Sequence, residues 1–345
     1  MESDASDGLL PVEDDIATDG TTDPSRSWDA GADFVGDLHE CLLSLVPHHP
    51  SDRDAVAVRS VEDLLLDYLT WSERKITPRP RRVHLSDALR TGEHLHRGEI
   101  SPGLRQVLYL ARTGGDLSPY LSKQTKYAYA RRKRPNKPLK RGLDLLLHAW
   151  GIHHLHLSMQ HEDDGFAVRT EQVLMVIVRQ ADFFAIDVVV HDSGDSGDPH
   201  WTVNEELLRT VARSWPTVDL LNRSMIATGL AGPPHSPDDL LQLRKAHVST
   251  FHAFDGAVFH PRLLSIAGTP MDLGERAAQL LSGVRELQER LSRDGGTWFR
   301  RLMTEEAGLL LPASPRWTLG IDQGVIALTE HSSDLLVRCR DLTLA

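Results

Sequence analysis

The stretch Gly151-Ile152-His153-His154-Leu155-His156-Leu157-Ser158 decides the reading of this chain. A strand alternates its side chains between two faces, so residues two apart share a side. Read as a strand, the stretch puts His154, His156 and Ser158 on one face, with His153, Leu155, Leu157 and Met159 on the other. Upstream, Leu139 to Trp150 carries Leu139, Leu143, Leu146 and Leu147 at helical spacing, and Gly151 supplies a C-terminal stop. Downstream, Val173-Leu174-Met175-Val176-Ile177-Val178 is a continuous apolar run, which predicts a buried strand from Gln172 to Arg179. Gln180-Ala181-Asp182 turns the chain, and Phe183 to His191 returns as a third strand on which Asp187, Val189 and His191 share a face. A helix followed by three antiparallel strands makes a compact unit.

Working outward, four stretches are expected. Residues 1–32 read as a disordered acidic tail, rich in Asp, Gly, Ser and Thr, with too little apolar surface to offset the entropy of ordering. Residues 33–150 read as a mainly helical region ending in a basic segment, with helices near 34–46, 60–75 and 103–112. Residues 151–225 form a His-rich antiparallel-sheet core, closed by a helix that a Thr202/Glu205 capping box starts. Residues 226–345 form a C-terminal α+β region. It has a helix from Pro237, a hairpin at Phe254-Asp255-Gly256, an amphipathic helix after Thr269-Pro270 and a hairpin at Gln323-Gly324. The fold class is therefore α+β, a small central antiparallel sheet flanked by helices.

Composition narrows the function classes. The 345 residues carry a net charge of -11, which argues against nucleic-acid binding by the whole surface. No apolar run reaches the length of a membrane span, and the start of the chain has neither a basic nor an apolar targeting region, so a cytoplasmic protein is expected. Cys41 and Cys339 form no Cys-x-x-Cys motif and predict no disulfide framework.

The charge is unevenly spread. From Leu117 to Leu143 only Asp-free, Glu-free sequence follows, and this span carries Lys123, Lys126, Arg131, Arg132, Lys133, Arg134, Lys137, Lys140 and Arg141. Tyr120, Tyr127 and Tyr129 lie within it. Cations neutralise phosphates and aromatic rings stack on unpaired bases, so the partner expected is RNA or another single strand. The alternatives are a solvated face and a pairing surface for the acidic tail.

The candidate chemistry is histidine chemistry. His154 and His156 are the preferred acid–base pair, His191 is next, and His153 supports the other face of the sheet. Two imidazoles around a phosphodiester can take a proton from the ribose 2′-hydroxyl and give one to the leaving 5′-oxygen. That reaction needs no metal and no cofactor. Two other readings stay open: a three-histidine zinc site with one open position, oriented by a carboxylate such as Asp187, and histidines that merely hold the structure. His156-Leu157-Ser158-Met159 and His247-Val248-Ser249-Thr250 also resemble the paired His-x-Ser/Thr motifs of the 2H phosphoesterases. His94 and His96 read as a surface pair.

Leu121-Ser122, Asp144, Leu146-Leu147 and Trp150-Gly151-Ile152-His153-His154-Leu155-His156-Leu157 together resemble a family of uncharacterised bacterial proteins with a "WGIHHxHL" strand. Asp187, His191 and Trp201 fall where that family's pattern continues. The resemblance spans about 117–215 and extends over 236–290, and it implies no established activity. The Asp192–Pro199 insertion departs from it and leaves His191 and His200 both open as the third partner. A helix on an antiparallel sheet is also similar in topology to the barnase–EndoU–RelE class of ribonuclease folds, which includes toxins. The reading that follows is an RNA-acting, metal-independent phosphodiesterase. Its alternatives are a non-catalytic nucleic-acid or protein-binding module and a zinc-dependent hydrolase.

Overall fold

The computed structural model describes residues 32–92, 98, 100–132, 137–190, 205–223, 236–246, 248, 250–293, 301, 303–304, 308, 311, 315–331, 333 and 335–344. Expectations about residues 1–31, His94, His96, Lys133, Arg134, His191, the Asp192–Pro199 insertion, His200, Trp201, the Thr202 cap, His247 and Ser249 lie outside the described residues.

The chain is a mixed α+β protein. In order, its elements are α1 (Phe34–Leu45), α2 (Arg53–Ala57), α3 (Val61–Ser72), β1 (Arg82–Leu85), α4 (Asp87–Thr91), α5 (Ser101–Thr113), α6 (Leu145–Trp150), β2 (Ile152–His156), β3 (Gln172–Val178) and β4 (Asp182–Val190). Then come α7 (Glu205–Ser214), α8 (Pro237–Lys245), β5 (His252–Phe254), β6 (Ala257–Phe259), α9 (Met271–Arg293), β7 (Trp317–Asp322), β8 (Val325–Glu330) and β9 (Leu335–Thr343). Among the described residues, no helix is long and apolar enough to cross a membrane.

The central sheet has the order β1-β4-β3-β2. Strands β2, β3 and β4 are antiparallel, as the sequence predicts, while β1 adds a fourth strand parallel to β4. The sequence reading missed β1 because four residues between Pro80 and a helix cap carry almost no periodic signal. Both faces of the sheet are covered, which explains why β3 and β4 read as apolar runs and not as alternating strands. One face packs Leu155, Leu174, Val176, Phe183 and Ala185 against Leu104, Val107 and Ala111 of α5. The other packs Ile152, Val173, Met175, Ile177 and Phe184 against α6, Leu207, Leu208 and Val211 of α7, and Phe254 and Phe259 of the β5–β6 hairpin. Each fully buried large side chain contributes about 1.5–3 kcal/mol.

A third core joins the two ends of the chain. Phe34, Leu38 and Leu42 of α1 and Leu64, Leu65 and Leu69 of α3 pack with Leu280, Leu281 and Val284 of α9 and with Trp317, Leu319, Ile326 and Leu328 of the β7-β8-β9 sheet. The stretches 33–150, 151–225 and 226–345 are therefore not separate packing units. α1 and α3 belong with the C-terminal elements, whereas β1, α4 and α5 belong with the central sheet.

One expected helix is much shorter than its sequence suggests. Leu139–Trp150 contains only the six residues of α6. Tyr129 and Arg141 form an isolated antiparallel bridge, and Ala130 N and Gly142 N donate to Lys140 O and Ala128 O. These bonds hold 140–142 extended against 128–130, and the helix begins only where Asp144 caps it. Gly151, with φ 69°, ends it and turns the chain straight into β2. The two expected hairpins have the predicted turns: Asp255-Gly256 and Gln323-Gly324 hold positive φ at both positions.

Candidate functional site: a two-histidine cleft

β2 is an edge strand, and its register fixes where each histidine goes. His154 pairs with Met175 and His156 with Val173, so both lie on the Ile152 face. The strand ends at His156. Ser158, expected on the same face, instead closes a turn in which its Oγ accepts from Gln160 N at 3.0 Å.

His154 and His156 open on one cleft of about 510 Å³. Its other walls are the turn with Leu121, Ser122, Lys123, Gln124 and Thr125, the α6 entry with Leu143, Asp144 and Leu145, the Glu162–Arg169 loop, and Arg74. The rings of His154 and His156 stand edge to face, centroids 6.2 Å apart. Both are largely buried, which lowers the local dielectric and strengthens any charge they meet.

Asp144 does two jobs at once. Its Oδ1 accepts from Leu147 N at 3.1 Å and caps α6, while Oδ2 lies 3.5 Å from His154 Nδ1. The helix cap thereby fixes the carboxylate that faces the histidine. On the other ring, Thr170 N donates to His156 Nδ1 across 3.5 Å. Thr170 is held in turn by its hydroxyl, which donates to Gln172 O at 2.6 Å.

Cations frame the cleft. Arg74 is buried and donates to Gln124 O at 3.0 Å and Tyr127 O at 2.8 Å, so it fixes the wall. Burial lowers its pKa to about 10, partly opposed by Asp144, which leaves it charged at neutral pH. Lys123 bridges to Glu162 and to Asp164, the latter at 3.3 Å, tying the two loops at the cleft mouth. Hydrogen bonding to Glu162 raises the Lys123 pKa.

His153 lies on the other face, 8% exposed, where burial lowers its pKa to about 4. His148 on α6 is fully buried, and burial likewise lowers it to about 4 against the opposing pull of Asp144. Both are neutral at neutral pH. Asp187 shares the His154 face because a β-bulge between the Met175 and Val176 pairings makes Ile186 an extra residue. It sits two strands away with Met175 between, so on the order of 10 Å separates the two backbones. Among the described residues no group of three or more His, Cys, Asp and Glu is arranged to hold a metal ion.

The basic span divides. Arg132 binds Asp52 at 2.6 Å and also donates to Ser51 O and Lys137 O. Arg141 binds Asp67 and reaches Asp63 at 2.9 Å. Asp67 is fully buried and also takes Arg59 at 2.6 Å and the Tyr129 hydroxyl at 2.7 Å. Tyr120 and Tyr129 are buried, so neither can stack on a base, and Tyr127 packs its ring against His49. Lys126, Arg131, Lys137 and Lys140 remain exposed, with Lys126 over the Tyr127 ring.

The chain matches no protein-family model, no curated protein and no solved structure. The site must therefore be read from its own geometry. Sequence reasoning missed the use of Asp144, although an Asp before a run of leucines is an N-cap signal. Arg74 and Arg169 carry no sequence signal, since each reaches the cleft only through tertiary packing.

Proposed function

We propose that this chain is an RNA-acting, metal-independent phosphodiesterase in which His154 is the base and His156 the acid. The observation that carries this reading is the complementary setting of the two Nδ1 atoms, one beside the Asp144 carboxylate and one beside the Thr170 N–H. A carboxylate beside Nδ1 favours the tautomer protonated there, which leaves Nε2 as an acceptor. The Thr170 N–H lies against Nδ1 of the other ring and leaves its Nε2 to face the substrate, and from there His156 gives a proton as the imidazolium. One cleft thus holds two imidazoles, with His154 acting as the neutral base and His156 entering the reaction as the imidazolium acid.

In the reaction His154 removes the proton of a ribose 2′-hydroxyl, and that oxygen attacks phosphorus. The bond from phosphorus to the 5′-oxygen breaks as His156 protonates the departing oxygen. The products are a 2′,3′-cyclic phosphate end and a 5′-hydroxyl end, with the two imidazoles exchanged in protonation. Attack by water with the roles reversed opens the cycle and restores them. Lys123 and Arg169 on the cleft walls stabilise the charge that builds on phosphorus. Exposed Lys126, Arg131, Lys137 and Lys140 hold the strand beyond the cleft. A cytoplasmic location goes with this reading.

The test is cleavage of end-labelled single-stranded RNA in the presence of chelator. Cleavage should persist, leave cyclic phosphate ends, stop when the scissile nucleotide is 2′-deoxy, and fall about 10²–10⁴-fold in His154→Ala and His156→Ala. Cleavage that requires an added metal, or that survives both substitutions, would refute the assignment.

A further inference from the structure

We infer that a second cavity, behind the histidine strand, binds a neutral planar ligand with the hydrogen-bonding edge of a nucleobase. This cavity has a volume of about 480 Å³ and shares no lining residue with the two-histidine cleft. It opens where α6, the end of β3, the 220–222 segment and the start of α9 meet. Its size lies within the range of roughly 300–1,000 Å³ typical of small-molecule sites.

His153 is the first reason. Its side chain is more than nine-tenths buried and lines this cavity. Among the described residues no hydrogen bond to its ring is seen, and neither ring nitrogen is among the buried atoms left without a partner, so the ring is open to the cavity. A ligand in the cavity can therefore hydrogen-bond to the ring directly.

Charge selects the ligand. Arg262 is matched by Glu73, at 3.0 and 3.1 Å, and by Asp272. Arg179 at the rim donates to Asp219 O at 2.8 Å. The two arginines and two carboxylates that line the cavity cancel, and burial keeps His153 neutral. A charged ligand would be desolvated there without a counter-charge, which is costly. A neutral one is not penalised in this way.

Shape and polarity then specify more. Ile177, Leu220 and Leu221 give apolar walls for a flat face. Buried His153 and the amide of exposed Asn222 both line the cavity, and each has a donor and an acceptor to present. A flat neutral molecule whose edge carries donors and acceptors together fits both. That chemistry is shared by a free nucleoside and by a base within a single strand. The inference does not rest on catalysis in the other cleft.

The experiment uses the full chain and measures calorimetric titration and thermal shift with adenosine, guanosine, cytidine, uridine and a set of single-stranded tetranucleotides. At least one nucleoside should bind saturably and raise the melting temperature. His153→Leu should abolish that binding, because it removes the ring's donor and acceptor. Asn222→Ala, at the exposed rim, should weaken binding about tenfold even if His153→Leu folds poorly. His156→Ala should bind as the native chain does, which separates this site from the proposed catalytic one. Binding of tetranucleotides alone, still dependent on His153 and Asn222, assigns the ligand to a base within a strand. Silence of every probe, or binding that neither substitution weakens, overturns the inference.

Discussion

His153 and His154 are neighbours in sequence and line different cavities. His153 pairs with Val176 and His154 with Met175, so the pleat sends one ring to each face of the sheet. Their environments differ accordingly. His153 meets burial and no hydrogen bond among the described residues, while His154 meets the carboxylate of Asp144. Substitutions at the two positions should therefore have separable effects, although the residues are one peptide bond apart.

Asp144→Asn isolates the charge of the helix cap. Asn caps a helix about as well as Asp, so the α6 N-terminus should keep its bond to Leu147 N and stability should change by less than about 1 kcal/mol. The histidine loses its carboxylate. RNA cleavage should drop by roughly tenfold or more, because Asp144 no longer favours the base form of the tautomer. Asp144→Ala should show the same kinetic loss together with about 1 kcal/mol of lost stability. Equal rates for native and Asn proteins would remove Asp144 from the mechanism.

Stability should fall on acidification because of His148 and His153. Both have pKa values lowered by burial from 6.5 to about 4. Above pH 6.5 both rings are neutral in the folded and unfolded chains, and their burial carries no pH-dependent penalty. Between pH 6.5 and about 4 the unfolded chain takes protons that the folded chain refuses. Each ring then costs about 1.4 kcal/mol per pH unit, on the order of 3 kcal/mol over the window. Urea unfolding at pH 7.5, 6.5, 5.5 and 4.5 measures the slope. His148→Leu should flatten it by one histidine's share, and an unaltered slope would count against the burial of that ring.

Asp67 should be the most sensitive carboxylate outside the clefts. Its fully buried side chain meets Arg59, Arg141 and the Tyr129 hydroxyl, and burial together with Asp67 raises the Tyr129 pKa. Asp67→Ala leaves two guanidinium groups facing each other in a partly buried space. The expected loss is about 3–5 kcal/mol by chemical denaturation. Release of the 129–141 segment from α3 should appear as faster amide exchange at Ala130 and Gly142. A loss below 1 kcal/mol would mean that the cluster is solvated.

The salt dependence of RNA binding should come from the exposed part of the basic span. Changing Lys126, Arg131, Lys137 and Lys140 to Ser should flatten the slope of log K against log salt by about 3, near 0.7 per lost phosphate contact on a single strand. The fold should tolerate this, since all four residues are exposed. Arg132→Ser and Arg141→Ser should instead lower stability, because each breaks a partly buried ion pair. An unchanged slope in the fourfold variant would leave the span as a solvated face.

Local rules carried much of the architecture. Ser60 as a cap for α3, Asp255-Gly256 and Gln323-Gly324 as turns, and the apolar run of β3 are each set by the backbone preferences of a few residues, so they can be read in isolation. The alternation of β2 likewise separated His153 from His154 and His156 before any partner strand was known. By contrast, the helix expected from Leu139 failed because its periodicity competes with tertiary bonds. Arg141 is drawn to Asp67 and Asp63, and Gly142 N to Ala128 O, and neither attraction is visible in the local pattern.

By itself the sequence determined the α+β class, the three antiparallel strands and the pairing of His154 with His156 on one face, because periodicity and turn chemistry act over a few residues. Only the tertiary structure decided that α1 and α3 pack with α9 and the last sheet, since apolar faces have no address until they meet. It also decided which basic residues are spent. In sequence Arg141 and Lys140 look alike, but a buried carboxylate one fold-length away, Asp67, claims the first and leaves the second exposed. The cleft was decided in the same way. Asp144, Thr170, Arg74 and Lys123 reach the two histidines from separate segments, and their charges count only at the few ångströms that packing imposes.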